Sequence, residues 1–455
     1  MAAMVVLEIT VVVKLCVQVQ QLTKQYGRIQ KRLFIRCNKE LFSEYIRMKH
    51  SKYNYVVENN GYYIIFNGLY CTCVILDEKH YKQYQKLNFS KKDIDEFKRL
   101  GFILESNIDE TEKFLYLARI RDYKKSSIGF RVLTTLNCNA NCSYCYEKGF
   151  KQSNMTDMVA NKTADYILKK VRGVHSAHIQ WFGGEPLANY KAIDTISEKL
   201  IPEFERYNIK FKSSMVSNGL LFNQSLIKKA TDNWMLSNVQ ITLDGTKEIY
   251  EKIKQFPVEN AFERVIDNIH KLLDAEIHVS IRLNYDDTNF TDIIDLISYL
   301  SAEFPERQKL RLYTYRLFSA QEDSAKDIKL LKHLVDCGFA SDLIYTFYTH
   351  YSSCMAHSIN GGTIMPNGNI AKCCRGSQLP NGIVGTINED DYNDNIYSWC
   401  SPQLNDKCYK CKYLPLCNGG CRYEHFTGGN ACFISDSTME FILQQTLKDK
   451  LKDNL

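Results

Sequence analysis

Between about residues 128 and 330, short apolar runs alternate six times with amphipathic stretches, and this alternation limits the fold more than any other feature of the chain. The strand candidates are "FRVLTTL" (130–136), "HIQWFGG" (178–184), "KFKSSMVSNG" (210–219), "NVQITLDG" (238–245), "HVSIRLNYD" (278–286) and "LRLYTYRL" (310–317). Segments of helical period separate them, such as "MVANKTADYILKKV" and "AFERVIDNIHKLLDA". Repeated strand–helix units build a parallel sheet with right-handed crossovers. Six units describe an α/β fold, a partial (β/α)6 barrel, whose chemistry gathers at the strand C-terminal ends.

The 455 residues suit two or three domains. We place the boundaries at 1–125, 126–335 and 336–455. In the first region, residues 54–104 read as a small winged-helix-like module. "YNYVVENNGYYIIFNGLYCTCVIL" is β-rich and broken at Asn60-Gly61 and Asn67-Gly68, pairs that suit two-residue hairpin turns. "SKKDIDEFKRLGFIL" then starts with Ser90 and Asp93 at capping-box spacing and stops at Gly101. Beyond about 340 the periodicity dissolves into short turns and cysteines, which predicts a stretch reliant on bound metal, before a closing helix at about 437–451.

Seventeen cysteines need a compartment. The opening "MAAMVVLEITVVVKLCVQVQ" lacks a basic n-region and a clean cleavage site, so no secretory signal supports disulfides. Glu8 and Lys14 break its apolar run below the ~20 residues of a membrane span, leaving a β-prone segment. A reducing cytoplasm follows, where clustered thiols more often hold metal than pair. A net charge of +6 with interspersed acids is ordinary solvated surface, not a nucleic-acid footprint.

Directly after the first strand candidate stand Cys138, Cys142 and Cys145. A structural zinc site closes its shell with four ligands. Three thiolates on a [4Fe–4S] cube leave one iron open. "CNANCSYC", with Tyr144 before the third cysteine, resembles the cluster signature of the radical S-adenosylmethionine (SAM) superfamily. The resemblance implies that SAM chelates the open iron, and that its reductive cleavage gives methionine and a 5′-deoxyadenosyl radical. "WFGGEP" (181–186) resembles that family's GGEP element, which implies Gly183, Gly184 and Glu185 beside the methionyl amino group. Ser217 in "VSNG" and Thr242 in "ITLDG" are implied polar neighbours of SAM, while Asp244-Gly245 is a shared, structural feature. Where the family often carries a His and then an Arg for the SAM carboxylate, this chain has Tyr250 and Lys254, a point charge in place of a planar fork. Arg282 and Asn284 are further SAM contacts or ordinary barrel-interior polar residues.

The C-terminal cysteines resemble the seven-cysteine SPASM domain of radical SAM enzymes that modify peptides. They run Cys354, Gly368, Cys373, then Cys408-x2-Cys411-x5-Cys417-x3-Cys421, then Cys432. The resemblance implies two auxiliary [4Fe–4S] clusters: an outer one on Cys408, Cys411, Cys417 and Cys432, and an inner one on Cys354, Cys373 and Cys421. Zinc is the alternative for the ribbon of closely spaced cysteines. Cys374, Cys337 and Cys400 are candidate fourth ligands of the inner cluster, or its last iron is open. Cys16, Cys37, Cys71 and Cys73 have no partner motif and read as buried small hydrophobes.

The function expected is a SPASM maturase that modifies a ribosomally made peptide by a thioether or other crosslink. Its N-terminal module would hold a leader peptide as an added strand. Its electron donor would be a flavodoxin or ferredoxin, and neither nucleic acid nor membrane is a partner. The alternatives are an anaerobic sulfatase maturase forming formylglycine and, from another class, a non-catalytic iron–sulfur carrier or zinc-stabilised adaptor. No residue announces itself as a general base.

Overall fold

A computed structural model describes residues 48–317, 323–339, 354–401, 404–432 and 434–452. The β-prone opening of residues 1–20, with Cys16, and Cys37 lie outside the described residues. The chain divides into two compact units. One comprises the described residues of Met1–Leu117, Leu404–Asn418 and Met439–Leu455; the other those of Ala118–Gln403 and Gly419–Thr438.

In the first unit, β1 (Met48–His50) pairs antiparallel with β5 (Ile103–Glu105). Strands β2 (Asn54–Asn59), β3 (Tyr62–Asn67) and β4 (Thr72–Asp77) form an antiparallel meander. Asn60 and Gly61 both take positive φ, +54° and +78°, so that hairpin turns as the sequence predicts. The turn expected at Asn67-Gly68 is instead a four-residue loop, because Asn67 pairs with Thr72. The reason is the Asn67 side chain, which is buried and committed elsewhere. Its Oδ1 accepts from the amides of Leu69 and Tyr70, and its Nδ2 donates to Ser51 Oγ, Asn54 Oδ1 and the Gly101 carbonyl.

The helix Lys91–Arg99 starts on Ser90, whose Oγ accepts from the Asp93 amide, and Gly101 follows at φ +84°. A second helix, Glu78–Gln85, was not legible as such; Asp77 caps it through the His80 amide. Ile65, Val74, Leu76, Tyr84, Phe97, Leu100, Phe102 and Ile103 make this unit's small core. The closing helix, Asp436–Lys452, begins and ends within a residue of expectation.

The second unit holds the six parallel strands. They are β6 (Ser127–Thr135), β7 (Ser176–Gly183), β8 (Lys210–Ser217), β9 (Leu236–Leu243), β10 (His278–Tyr285) and β11 (Leu310–Arg316), neighbours in space in sequence order. Val132, Trp181, Met215, Val239, Ile241 and Ile281 are fully buried on the helix-facing side. The intervening positions, including Arg131, Gln180, Gln240, Thr242 and Arg282, share the opposite face through the register.

The sheet is open, and the cysteine-rich region extends it. Strand β12 (Gly361–Ile364) lies parallel to β6, and β13 (Asn369–Ala371) and β14 (Ile383–Thr386) follow antiparallel. Only glycine fits at 361, where φ is +101° and a Cβ would sit 1.7 Å from the Gly129 carbonyl oxygen. Among the described residues no helix is long and apolar enough to cross a membrane.

Candidate cluster and cofactor site

The three cysteines of the triplet occupy the loop that leaves β6. Cys138 is exposed, Cys142 and Cys145 half-buried. The loop has no regular structure of its own, so its shape is set by what the neighbouring strand ends offer it. From β7, the Gly184 amide donates to the Thr135 carbonyl (3.1 Å) and the Glu185 amide to Asn137 (2.9 Å). A Cβ on Gly183 would meet the Thr135 oxygen at 2.0 Å and one on Gly184 the Asn137 oxygen at 2.4 Å, so the glycines admit the chain's own loop. From β8, Asn218 Nδ2 donates to Asn139 Oδ1 (2.7 Å) and lies 3.8 Å from Cys138 Sγ.

The helix after β9, Lys247–Lys254, supplies the third tie. The Lys254 carbonyl accepts from the Asn141 amide (2.8 Å), and Gln255 Oε1 accepts from Asn141 Nδ2 (2.9 Å). Tyr144 supplies the fourth. Its hydroxyl donates to Asp244 Oδ1 (2.8 Å) and accepts from Lys254 Nζ (3.2 Å) and Asn284 Nδ2 (3.1 Å). Lys254 Nζ also stands 2.8 Å from Asp244 Oδ2, an ion pair off the hydrogen-bond direction, with both side chains nearly fully enclosed. Burial works against the Lys254 ammonium, yet Asp244 and Tyr144 beside it hold its pKa well above the usual lysine value.

Glu185 is fully enclosed. Its carboxylate accepts from Ser217 Oγ (3.0 Å to each oxygen), the Asn218 amide (2.8 Å) and the Leu187 amide (3.1 Å). Burial outweighs these donors and pushes it up to about 7. Because this exceeds an unfolded glutamate's ~4.3, folding takes up a proton between the two values, and Glu185's contribution to stability is lost as pH rises through that window. Glu185→Gln should therefore flatten the fall in unfolding free energy between about pH 5 and 7, measured by denaturant titration; an unchanged slope would assign it to other groups.

Thr242 pairs in register with Arg282, whose Nε donates to Asn284 Oδ1 (2.9 Å) while its guanidinium stacks 3.6 Å over the Tyr315 ring. Of the residues expected near SAM, the structure thus joins Glu185 with Ser217, and Arg282 with Asn284. Lys254 is engaged by Asp244 and Tyr144. Asn141 and Asn218 were missed by sequence reasoning, since a lone asparagine in a loop carries no pattern.

Burial pushes the Cys138 thiol up to about 11, and Glu185, Cys142 and Cys145 add negative charge around it. Such thiols surrender their protons on binding metal. No three His, Cys, Asp or Glu side chains among the described residues converge as ligands of a single ion would. A cube instead carries its thiolates on separate irons, and three soft sulfur donors on one loop fit that group.

Among the C-terminal cysteines of the second unit, Cys354 is exposed and Cys373 and Cys421 are half-buried. Cys354 adds negative charge to both of those, so the three share a neighbourhood. Cys374 and Cys400 are buried, and Cys432 is exposed. Cys337 Sγ lies 3.7 Å from His333 Nε2. In the first unit Cys408 is buried, with its amide on Asn405 Oδ1 (3.1 Å), and Cys411 Sγ accepts from the Tyr413 amide (3.3 Å). Cys417, Cys71 and Cys73 are half-buried.

Residues 132–300 match the radical SAM superfamily. A GTP 3′,8-cyclase of Clostridium perfringens is 31% identical over 180 residues, 38% of this chain, and the chain spans only 52% of that relative's length. The radical SAM cyclopropyl synthase TigE of Paramaledivibacter caminithermalis is 24% identical over 435 residues, covering 82% of this chain and 86% of TigE. Among solved structures, anSMEcpe with bound AdoMet superposes at a TM-score of 0.56 with 17% identity, covering 72% of this chain and 100% of that one. Streptococcus suis SuiB bound to precursor peptide SuiA does so at 0.51 with 16% identity, covering 86% and 99%. Residues 132–300 are thus a radical SAM domain, and the chain shares the fold of anSMEcpe and SuiB.

Proposed function

We propose that the chain is a radical SAM maturase acting on a ribosomally synthesised peptide. The observation that carries this is the triplet loop, three thiols on an irregular segment fastened by Gly184, Glu185, Asn218, Lys254 and Asp244 at the C-terminal ends of the parallel strands. That is the end of such a sheet where ligands are held. Cys138, Cys142 and Cys145 would hold the cluster. When bound, that cluster supplies the electron for reductive cleavage of SAM.

The chain's own residues do the rest. Asn218 orients Cys138 and Asn139, and Glu185 fixes the end of β8 through Ser217. Arg282 and Thr242 offer polar groups side by side on the sheet face opposite the helices, and Arg282 reaches Asn284, which donates to Tyr144. The finer assignments follow the sequence: Cys354, Cys373 and Cys421 for an inner auxiliary cluster, and Cys408, Cys411, Cys417 and Cys432 for an outer one. A flavodoxin- or ferredoxin-class donor in a reducing cytoplasm would deliver the electron.

The unit carrying β1–β5 favours a peptide over a folded sulfatase as substrate. Its meander has β2 and β4 as edge strands, where an extended leader adds main-chain hydrogen bonds. TigE matches over most of this chain, and SuiB, whose fold it shares, is seen with its precursor peptide SuiA. A formylglycine-forming enzyme would use the same cysteine loop, so product analysis separates the two.

Anaerobically reconstituted, reduced protein should release 5′-deoxyadenosine from SAM, with a mass change in a co-incubated precursor peptide. Release no higher than in protein-free controls would sink the enzymatic reading and leave the electron carrier. Leader peptide alone should compete for precursor binding without altering uncoupled SAM cleavage; failure to compete would remove the first unit from recognition.

A further inference from the structure

Cys374 sits beside Cys373, whose thiol reaches its sulfur. The Cys374 side chain is buried, whereas Cys354 is exposed and Cys373 and Cys421 are half-buried. Besides the Cys373 contact, its sulfur accepts hydrogen bonds from Arg131 Nη1 at 3.0 Å and from the Tyr146 hydroxyl at 3.3 Å. Both donors belong to the machinery around the triplet. Arg131 lies on β6, the strand that leads into the loop, and is itself fixed by Gln180 Oε1 (2.7 Å) and by the Phe182 ring 4.8 Å beneath its guanidinium. Tyr146 follows Cys145, the third cysteine of the triplet, and opens the single helical turn Tyr146–Gly149.

The backbone of Cys374 is held as firmly. Its carbonyl accepts from Ser377 Oγ at 2.8 Å, and the next residue, Arg375, turns to Glu424 at 2.6 Å. One sulfur therefore gathers the strand before the triplet and the residue after it.

Building on the function proposed above, we infer that Cys374 is a positioning residue for the SAM-cluster loop and not a ligand of the inner auxiliary cluster. A thiolate that ligates iron needs one face turned to open space the size of a cube. The Cys374 sulfur is taken up by a guanidinium, a phenol and the adjacent Cys373 thiol, while the more accessible Cys354, Cys373 and Cys421 remain for the inner cluster. Losing the sulfur would leave the Arg131 Nη1 donor without that acceptor, with Gln180 holding only Nε. Among the described residues it would leave Tyr146 only its long contact to Glu147. The disturbance would reach Cys145, far along the sequence from residue 374, before it reached the auxiliary iron.

The test uses the full chain, reconstituted anaerobically, with iron and sulfide counts and electron paramagnetic resonance of the reduced protein with and without SAM. Cys374→Ala should keep the parent's iron and sulfide. It should alter the SAM-induced change in the triplet cluster's signal and slow uncoupled 5′-deoxyadenosine release by roughly tenfold, as expected for one charge-assisted hydrogen bond. Cys374→Ser, which keeps an acceptor, should recover most of the signal, and Tyr146→Phe, which leaves every cysteine in place, should reproduce the alanine effect. Loss of about four irons in Cys374→Ala, or a SAM-dependent signal identical to the parent's in both Cys374→Ala and Tyr146→Phe, overturns the inference. A parent protein with no SAM-dependent signal would instead indict the proposed function itself.

Discussion

Cys142→Ala is expected to abolish 5′-deoxyadenosine release while about two thirds of the iron of the three proposed clusters stays bound. Three thiolates hold one cube, so removing the middle one leaves two anchors for a group that needs three. Burial raises both remaining thiols, Cys138 to about 11, so neither becomes a ready thiolate without metal to displace its proton. The loop itself should survive, because its ties run through Asn137, Asn139, Asn141 and Tyr144 and none through the Cys142 side chain. Iron analysis should thus fall by about four atoms of about twelve, with circular dichroism unchanged. Cleavage at the parent rate in this variant would show that the triplet is not where SAM is reduced. Loss of all the iron would mean instead that the proposed auxiliary clusters do not assemble without the first.

What could be read in advance was whatever has a local period or a fixed spacing. Each of the six parallel strands starts and ends within a few residues of its apolar run, since strands buried on one face by helices must be apolar at alternate positions. Asn60-Gly61 turned as expected because positive φ is a property of two adjacent residues. Asn67-Gly68 misled because the Asn67 amide serves Ser51 and Gly101, sixteen and thirty-four residues away, and no local rule anticipates that.

Strand β12 was illegible for a similar reason. "GGTI" has little β character, and only the close approach of Gly361 to Gly129 makes it a neighbour of β6. The return of residues 404–418 to the first unit, where Tyr413 stacks 4.7 Å from Tyr55, is likewise a long-range packing event. At the candidate site, cysteine spacing exposed the thiols but not their supports. Arg131, Asn141 and Asn218 are single polar residues whose partners lie on other strands and loops.

Lys254→Met tests the support with the most at stake. The residue stands where the family's pattern offers an arginine for the SAM carboxylate, yet here its side chain is only 4% exposed and set against Asp244. A methionine fills the stem's volume but leaves the Asp244 carboxylate buried with the Tyr144 hydroxyl as its one side-chain donor among the described residues. Breaking a buried pair from one side costs about 3–5 kcal/mol, more than deleting both partners together. Lys254→Met should therefore lower the unfolding free energy by about that amount and loosen Tyr144, whereas Lys254→Met combined with Asp244→Asn should regain much of it.

The pair of variants also divides two roles for the lysine. If its ammonium serves only to neutralise Asp244 and seat Tyr144, the double variant should bind SAM nearly as well as the parent, because the Asn141 amide still reaches the backbone carbonyl of residue 254. If the ammonium also meets the SAM carboxylate, the double variant should be stable and yet bind SAM roughly tenfold or more weakly, the loss expected for one charge-assisted contact. Equilibrium dialysis of SAM beside a denaturation curve reads both quantities on the same sample. A Lys254→Met protein as stable as the parent would deny that the ion pair supports the loop at all.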